Sequence, residues 1–257
     1  MRFIGNLLLL LFIGACSKNN PSETQVFGHG ATGLQVASAI YHDNTIQAID
    51  YALSLPNCKG VELDVRMDAE GQLWLFHDET LEMETNLEGK VESLNTLELQ
   101  QGHYSTLKKE SLAKLNSETL QLLGKGYTFL DLKTGETGVL NEFKSALTSL
   151  NLDTSNTALI VSSWTMFELF KDDFQVFLSI NSLGDLTNAM LENQPSLRGI
   201  CIRNNQITKE EVNFMKSIHK QVIIYEVRSP KGIKSALQKQ AKYLLTDDLK
   251  LTLALTH

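Results

Sequence analysis

Acidic side chains alternate with apolar ones in two segments that have the composition of buried strands. Glu62 and Asp64 lie two residues apart in the sequence GVELDV, and Asp131 and Lys133 have the same spacing in TFLDLK. Because successive side chains of a strand point to opposite faces, each pair shares one face. Carboxylates that point into a closed sheet cost several kcal/mol unless a cation or hydrogen-bond donors compensate them. Three carboxylates without a cysteine ligand form a hard-oxygen site, which suits Mg²⁺ or Ca²⁺ better than zinc.

Two histidines follow apolar runs at points where strands would end. His29 comes directly after residues 26–28 and stands between two glycines, while His77 and Asp78 follow residues 73–76. Imidazole has an unperturbed pKa of about 6.5, so the two histidines can serve as general base and general acid. Lys133 beside a bound cation would hold an anionic oxygen. This set fits cleavage of a phosphodiester, in which cation and lysine stabilise the phosphoryl oxygens and the histidines move protons.

Short apolar runs alternate with helix-spaced segments along most of the chain, and these elements must position the polar groups. Nine runs are interpreted as strands: residues 26–28, 60–65, 73–76, 128–132, 158–161, 176–180, 199–202, 222–227 and 243–245. Alternation of this kind in a chain of 257 residues predicts an α/β fold, with a (β/α)8 barrel as its closed form. A doubly wound open sheet is the alternative, although no G-x-G-x-x-G follows the first run. Barrel sites gather at the C-terminal ends of strands, so the groups could converge.

One connection breaks the alternation. Residues 66–72 are too few for a crossover helix and indicate a hairpin that turns at residues 68–71, with a glycine available for positive φ. A symmetric hairpin here would place Glu62 directly opposite His77. A short parallel connection remains the alternative, because nine candidate strands must match eight barrel positions. The next stretch, residues 79–106, is polar and weakly periodic, and we interpret it as an insertion on the barrel rim.

The first residues are typical of an export signal. Arg2 precedes an apolar run over residues 3–13, which is too short for a bilayer-spanning helix of about 20 residues. The small residues before Cys16 resemble the lipobox of bacterial lipoproteins, which implies cleavage after residue 15 and lipidation of the cysteine. Residues 16–24 would then form the lipidated end and a polar tether, and the protein would be extracytoplasmic, facing the periplasm or lying at the outer-membrane surface. The alternative is an ordinary signal peptide that is cleaved after Ala15.

The overall composition excludes several classes of protein. Hydrophobic residues make up 42% of the chain and charged residues 21%, which excludes a disordered chain. The net charge of −7 argues against a general nucleic-acid binder, because such proteins depend on many Lys and Arg contacts to phosphates. Cys58 and Cys201 are isolated and do not have the spacing of a metal site.

The order of the motifs resembles that of the glycerophosphodiester phosphodiesterase family. The matching strings are GHGATG, DNT at residues 43–45, GVELDV, LWLFHD, TFLDLK and LLTDD, and they cover about residues 25–250. The resemblance implies a distorted TIM barrel with a small insertion after the third strand. It also implies one divalent cation and hydrolysis of glycerophosphodiesters to glycerol 3-phosphate and an alcohol. The substrate's own 2-hydroxyl would attack phosphorus, and water would open the resulting cyclic ester.

The same resemblance implies a role for individual residues. His29 and His77 would be the acid–base pair, Glu62, Asp64 and Asp131 would bind the metal, Lys133 would contact phosphate, and Asn44 would have a positional role. The chain departs from the family pattern at four positions, which are Gly30 for the usual Arg, Asp43 and Asp131 for the commoner Glu, and Tyr225 for the usual Trp.

Two other functions fit the same residues. One is a related lipid phosphodiesterase that acts on phosphatidylinositol or lysophospholipid, which membrane tethering favours. The other is a catalytically inactive lipoprotein that binds glycerophosphodiesters, which the missing Arg after His29 favours. All three readings share the same expected partners: a small phosphodiester, and a membrane reached through the N-terminal lipid, with no nucleic acid.

Overall fold

Eight parallel strands close into a barrel in the computed structural model, which describes residues 24–34, 39–134 and 137–256. The strands of the whole sheet are β1 (Gln25–Gly28), β2 (Gly60–Met67), β3 (Leu73–Leu75), β4 (Ala113–Lys114), β5 (Tyr127–Leu132), β6 (Thr157–Val161), β7 (Gln175–Ile180), β8 (Leu197–Arg203), β9 (Gln221–Tyr225) and β10 (Tyr243–Thr246). The sheet closes because β1 pairs in parallel with both β10 and β2. The predicted barrel is thus confirmed, and the open doubly wound sheet is wrong. The predicted signal peptide and Cys16 lie outside the described residues.

Helices follow most of the barrel strands. They are α1 (Ile46–Ser54), α2 (Thr96–Leu99), α3 (Ser117–Leu123), α4 (Leu140–Ser149), α5 (Trp164–Phe170), α6 (Asn188–Glu192), α7 (Lys209–Ser217), α8 (Pro230–Lys239) and α9 (Leu249–Leu255). Many begin at a side-chain cap: Thr45 accepts from the amide of Ala48 before α1, and Thr208 forms a capping box with Glu211 at α7. Across the described ranges, no helix has both the length and the apolar character needed to cross a membrane.

Strand alternation divides the apolar side chains between two cores. Val61, Leu63 and Val65 face outward from β2 and join the large core between the barrel and the helices. Inward-facing side chains from the barrel strands fill the interior with aromatic rings, and the centroids of Phe27 and Phe129 lie 5.0 Å apart. This aromatic packing closes the barrel below the polar groups at the C-terminal strand ends.

The predicted hairpin is confirmed, but its register differs from the symmetric one. β2 and β3 pair antiparallel, with Val65 opposite Leu75, so the short parallel connection is wrong. Gly71 takes φ of 84°, and Met67 pairs with Leu73, so the loop contains five residues, whereas a turn centred between Ala69 and Glu70 needs an even number. The pairing is therefore shifted by one residue relative to the predicted turn, which is centred between Ala69 and Glu70. The prediction that Glu62 lies directly opposite His77 is wrong, because of this shift and because β3 ends at Leu75.

The segment that follows the hairpin contains a small core of its own. β4 pairs antiparallel with β3, and α2 begins with a capping box at Asn95. The buried members of this core are Trp74, Phe76, Leu81, Val91, Leu99, Tyr104 and Leu112. We refer to residues 79–106 as the insertion, and this core attaches it to the barrel rim.

Candidate active site

Three carboxylates meet at the C-terminal ends of two adjacent barrel strands. Glu62 and Asp64 share the inner face of β2, and Asp131 on β5 pairs in register with Asp64. One oxygen of each side chain lies within 4.8 Å of the others. Glu62 and Asp64 are buried, and Oε1 of Glu62 has no hydrogen-bond partner among the described residues. A buried carboxylate oxygen that accepts no hydrogen bond is typical of a residue that binds a cation.

The electrostatics of these carboxylates also fit a divalent cation. Burial raises the pKa of Glu62 to about 8, and the negative charge of Asp64 adds to the shift. Burial likewise raises the pKa of Asp131. For Asp64 burial acts in the same direction, but the charge of Lys133 and other cations outweighs it and lowers the pKa. Carboxylate oxygens that repel one another in a buried site suit Mg²⁺ or Ca²⁺.

His29 is held at the edge of this acidic cluster by a buried aspartate. Nδ1 of His29 lies 2.7 Å from Oδ1 of Asp247, while Nε2 lies 3.8 Å from Oε2 of Glu62. Asp247 is fully buried and also pairs with Nε of Arg228 at 3.1 Å. Burial alone would lower the pKa of His29, but the hydrogen bond that its Nδ1 donates to Asp247 and the charge of Glu62 raise it to about 9.

Asp247 is a site residue that the sequence reasoning missed. The LLTDD string was noted only as the closing strand of a family pattern, and no role was assigned to its acidic residues. The alternation that places Tyr243 and Leu245 inside the barrel continues to Asp247 one residue beyond β10. The same period-two pattern that identified Glu62 and Asp64 could therefore have identified it.

His77 lies on the rim rather than in the barrel wall. Its Nδ1 is 2.7 Å from Oδ1 of Asp78, and the two side chains are 44% and 40% exposed. The charge of His77 helps to lower the pKa of Asp64, so His77 acts electrostatically on the acidic cluster. Within the part of the chain that the structure describes, no hydrogen bond or ion pair joins the His77 imidazole to a carboxylate of that cluster.

Lys133 bridges two of the carboxylates. Its Nζ lies 2.7 Å from Oδ2 of Asp131 and 3.1 Å from Oδ1 of Asp64. Burial would lower its pKa, but the charges of Asp64 and Asp131 raise the pKa above its usual range. The ammonium therefore stays charged at neutral pH and can offer donors to an anionic oxygen of a ligand.

Asn44 makes two hydrogen bonds to Asp64. Its Nδ2 donates to Oδ2 of Asp64 at 2.8 Å, and its Oδ1 accepts from the backbone amide of Asp64 at 3.0 Å. Asn44 has φ of 58°, a left-handed conformation that Asn tolerates better than most residues. This two-way contact fixes the orientation of the Asp64 carboxylate and agrees with a positional role for Asn44.

A model of the glycerophosphoryl diester phosphodiesterase family matches residues 29–246 of this chain. The chain belongs to this family. The resemblance inferred from the sequence motifs is thereby confirmed. A curated relative, the glycerophosphodiester phosphodiesterase of Bacillus altitudinis, is 36% identical over 83 residues, which are 32% of this chain and 31% of the relative. That match spans less than a third of the length of the relative.

Solved structures of the family have the same fold. A protein from Agrobacterium tumefaciens strain C58 that bears the family name matches with a TM-score of 0.78 and 16% identity, covering 91% of this chain and 97% of the other. A phosphodiesterase from Oleispira antarctica, solved in complex with the product sn-glycerol-3-phosphate, matches with a TM-score of 0.74 and 18% identity over 91% and 97%. A glycerophosphodiester phosphodiesterase from Parabacteroides distasonis has a TM-score of 0.74 and 17% identity over 93% and 98%. At these identities the likeness concerns the fold, and it agrees with the closed barrel.

One departure from the glycerophosphoryl diester phosphodiesterase pattern has a clear structural reason. Gly30 has φ of 56°, and its amide donates to Oε2 of Glu62 at 2.9 Å. A Cβ atom at this position would lie 2.6 Å from Cβ of Asp43. The arginine that is usual in the family therefore does not fit this backbone without a shift of the Asp43 loop. Tyr225, which replaces the usual Trp, meets the ring of His29 edge-on with centroids 6.1 Å apart.

Proposed function

We propose that this chain is a metal-dependent phosphodiesterase that hydrolyses glycerophosphodiesters to glycerol 3-phosphate and an alcohol. The observation that carries the proposal is the meeting of Glu62, Asp64 and Asp131 with Lys133 and His29 at one barrel mouth. Family membership supports the reaction class, and the product in the Oleispira structure supports glycerol 3-phosphate as the part of the substrate that the fold accommodates.

The acidic cluster would hold one divalent cation, Mg²⁺ or Ca²⁺. Glu62, Asp64 and Asp131 would supply the ligand oxygens, and Asn44 would keep Asp64 in the required orientation. When bound, such an ion stabilises negative charge on the phosphoryl oxygens. Lys133 would contact the phosphate from the β5 side, because its ammonium stays charged beside two carboxylates.

The two histidines would divide the proton transfers between them. Asp247 holds Nδ1 of His29, so Nε2 faces the site. The carboxylate charge that raises the pKa of His29 would be neutralised when Glu62 holds a cation, and a neutral His29 would then take the proton of the attacking 2-hydroxyl through Nε2. The 2-hydroxyl oxygen would form a bond to phosphorus while the bond between phosphorus and the oxygen of the departing alcohol breaks. His77, at the open rim, would give its proton to the departing alcohol. Water would then open the cyclic ester, with the proton transfers running in the opposite direction.

We also propose that Cys16 is lipidated and that the barrel is an extracytoplasmic domain tethered by residues 16–24. Thr24 precedes β1, so the preceding chain joins the barrel at the face opposite to the acidic cluster. In an extended chain each residue spans at most about 3.6 Å, so a short tether limits how far the mouth can turn toward the anchoring membrane.

The proposal is tested by measuring alcohol release from glycerophosphocholine with Mg²⁺ or Ca²⁺, before and after chelation. We expect chelation to abolish turnover, and His29→Asn and His77→Asn to lower kcat by about 10²- to 10⁴-fold. The matched control is His219→Asn, an exposed histidine with φ of 59° that Asn tolerates.

Parallel assays on micellar lysophospholipid and phosphatidylinositol separate the related enzymes. Faster turnover of these lipids than of any water-soluble glycerophosphodiester would favour the lipid phosphodiesterase. Tight binding of glycerophosphodiesters without turnover, in saturating Mg²⁺ and in saturating Ca²⁺, would indicate an inactive binding protein and would overturn the proposed reaction.

A further inference from the structure

Arg66 is a buried arginine beside the proposed active site, and no sequence motif assigned it a role. It follows Asp64 by two residues on β2, so both side chains leave the same face of the strand. Its side chain is only 10% exposed. An arginine this deeply buried needs partners for its charge and its donors, because an unpaired buried charge is strongly destabilising.

The partners of Arg66 are parts of the site that lie far apart in the sequence. Its Nη2 and Nε donate to the backbone carbonyl of His77 at 2.9 and 3.3 Å, and its Nη1 donates to the carbonyl of Lys133 at 3.3 Å. Nη1 also pairs with Oε1 of Glu92, an insertion residue, at 2.7 Å. One planar guanidinium therefore joins the segment after β3, the end of β5 and the insertion.

These contacts occur at the margin of the sheet, where the amides of Phe76 and Lys133 make the last backbone hydrogen bonds to β2, at 3.1 and 2.9 Å. β3 ends at Leu75 and β5 ends at Leu132, so the carbonyls of His77 and Lys133 lie beyond the strands. The side chain of His77 is 44% exposed, and Asp78, the residue that holds its imidazole, is 40% exposed. Arg66 therefore provides a buried, multiply bonded support for the backbone that carries His77.

We propose that Arg66 is a positioning residue that fixes His77 and Lys133 relative to each other through their backbone carbonyls, with Glu92 orienting its guanidinium. This rests on the proposed function, in which His77 protonates the departing alcohol and Lys133 contacts the phosphate. Arg66 itself touches no reacting atom. Its effect on the reaction runs through the placement of these two residues.

The proposal makes a specific statement about leaving groups. An alkoxide needs a proton as it departs, whereas a p-nitrophenolate leaves without one. Misplacement of His77 should therefore slow cleavage of glycerophosphocholine much more than cleavage of the p-nitrophenyl ester of glycerol 3-phosphate. Misplacement of Lys133 should slow both substrates alike, so the difference between the two substrates reports on His77.

The experiment compares Arg66→Met and Arg66→Lys with the wild-type protein on both substrates, in saturating cation. We expect kcat for glycerophosphocholine to fall by about 10²-fold and kcat for the p-nitrophenyl ester to fall less than about tenfold. KM and the cation affinity, measured by titration calorimetry, should change little. Lysine should restore little of the loss, because an ammonium cannot reproduce the forked donors of arginine.

Two further variants guard against a general loss of structure. Arg198→Met removes an exposed arginine from β8 and should leave both activities unchanged. Glu92→Gln keeps a hydrogen-bond acceptor for Arg66 but removes the negative charge of the side chain. We expect it to slow cleavage of glycerophosphocholine more than cleavage of the p-nitrophenyl ester, as Arg66→Met does, but by a smaller factor. If Arg66→Met fails to fold, the comparison of the two substrates in Glu92→Gln tests the proposal on its own.

The outcomes separate the two proposals. Equal losses on both substrates, or no loss, in a folded Arg66→Met or Glu92→Gln protein would overturn the positioning of His77 by Arg66 while leaving the phosphodiesterase intact. A wild-type protein that turns over neither substrate would overturn the proposed function, and the role of Arg66 would fall with it.

Discussion

The two histidines of the site are held in different ways. His29 belongs to the barrel wall: its side chain is 15% exposed, and its partner Asp247 is fully buried. His77 lies two residues beyond the end of β3, its side chain is 44% exposed, and its backbone carbonyl accepts hydrogen bonds from the buried Arg66. In the proposed reaction, the barrel would therefore supply a fixed proton acceptor beside the residues that would bind the cation. The rim segment between β3 and the insertion would supply a proton donor open to solvent, where a departing alcohol could leave.

The barrel interior and the barrel mouth also contribute differently to stability. The lower part of the barrel interior is filled with aromatic rings, whereas its mouth carries buried carboxylates that repel one another. Groups of like charge in a buried site lower stability, which is typical of functional sites. Substitutions on the two sides of the site should therefore have effects of different kinds.

Among the substitutions that compare the two sides of the site, the largest effect is expected on the barrel side, for Glu62→Gln. We expect kcat to fall by about 10²- to 10³-fold, because the amide removes one charged ligand of the proposed cation. Stability in the absence of cation should stay the same or increase, because burial and Asp64 already disfavour the ionised Glu62. Activity, cation affinity and thermal unfolding in chelator measure the three quantities. A large fall in cation-free stability would contradict this account of the cluster.

On the insertion side, Asp68→Ala should act through structure. One carboxylate oxygen of Asp68 accepts from the amides of Glu70 and Gln72 at 2.9 and 2.8 Å, and the other accepts from Trp74 Nε1 at 2.9 Å and Thr96 Oγ1 at 2.6 Å. Removing this buried acceptor should cost about 3 kcal/mol of local stability. Hydrogen exchange should become faster in the insertion while the barrel strands stay protected.

The control for this change is Asp153→Ala. Asp153 also accepts hydrogen bonds within a turn, from Ser155 and Asn156, but these contacts are exposed. Its loss should therefore cost much less stability than the loss of Asp68. Equal costs for the two aspartates, or exchange that becomes faster throughout the barrel, would show that the insertion and the barrel do not open separately.

The sequence contained enough information for the barrel and for the groups on its inner face. Glu62, Asp64 and Asp131 were recognisable because period-two alternation is a local property and carboxylates inside a strand are costly. The role of Arg66 could not be predicted from the sequence, because its acceptors are backbone carbonyls 11 and 67 residues away. Every residue has a backbone carbonyl, so the residue type does not show which carbonyl accepts a hydrogen bond. The register of His77 was missed for a related reason, since one residue in the turn decides it.

Asp247→Asn should have a smaller effect than Glu62→Gln, and one that depends on pH. We expect kcat to fall by about 10- to 100-fold, because the amide no longer fixes the tautomer and orientation of His29. The pKa of His29 in the cation-free protein should fall from about 9 toward its ordinary value. Titration of the His29 ring by NMR in chelator measures that change.

The raised pKa of His29 also predicts how the stability loss depends on pH. A folded-state pKa of about 9, above the ordinary value of about 6.5, gives stability that is fully present below pH 6.5 and lost as the pH rises through 9. The stability gap between wild type and Asp247→Asn should therefore be largest near pH 6 and shrink by about pH 9.5. Asp248→Asn is the control, because Asn caps α9 as well as Asp does. A gap that grows with pH would contradict this coupling.

The smallest effect is expected for an ion pair of the same chemistry outside the site. Nζ of Lys125 lies 3.0 Å from Oδ1 of Asp50, a distance like that between Lys133 and Asp64, but the two side chains are 57% and 63% exposed. A double-mutant cycle with Lys125→Ala and Asp50→Ala should give a coupling of less than about 1 kcal/mol, and high salt should reduce it further. The same cycle with Lys133→Ala and Asp64→Ala should give a larger coupling that salt changes little, because Asp64 is fully buried. Similar couplings in the two cycles would mean that burial does not set the strength of the pairs at the barrel mouth.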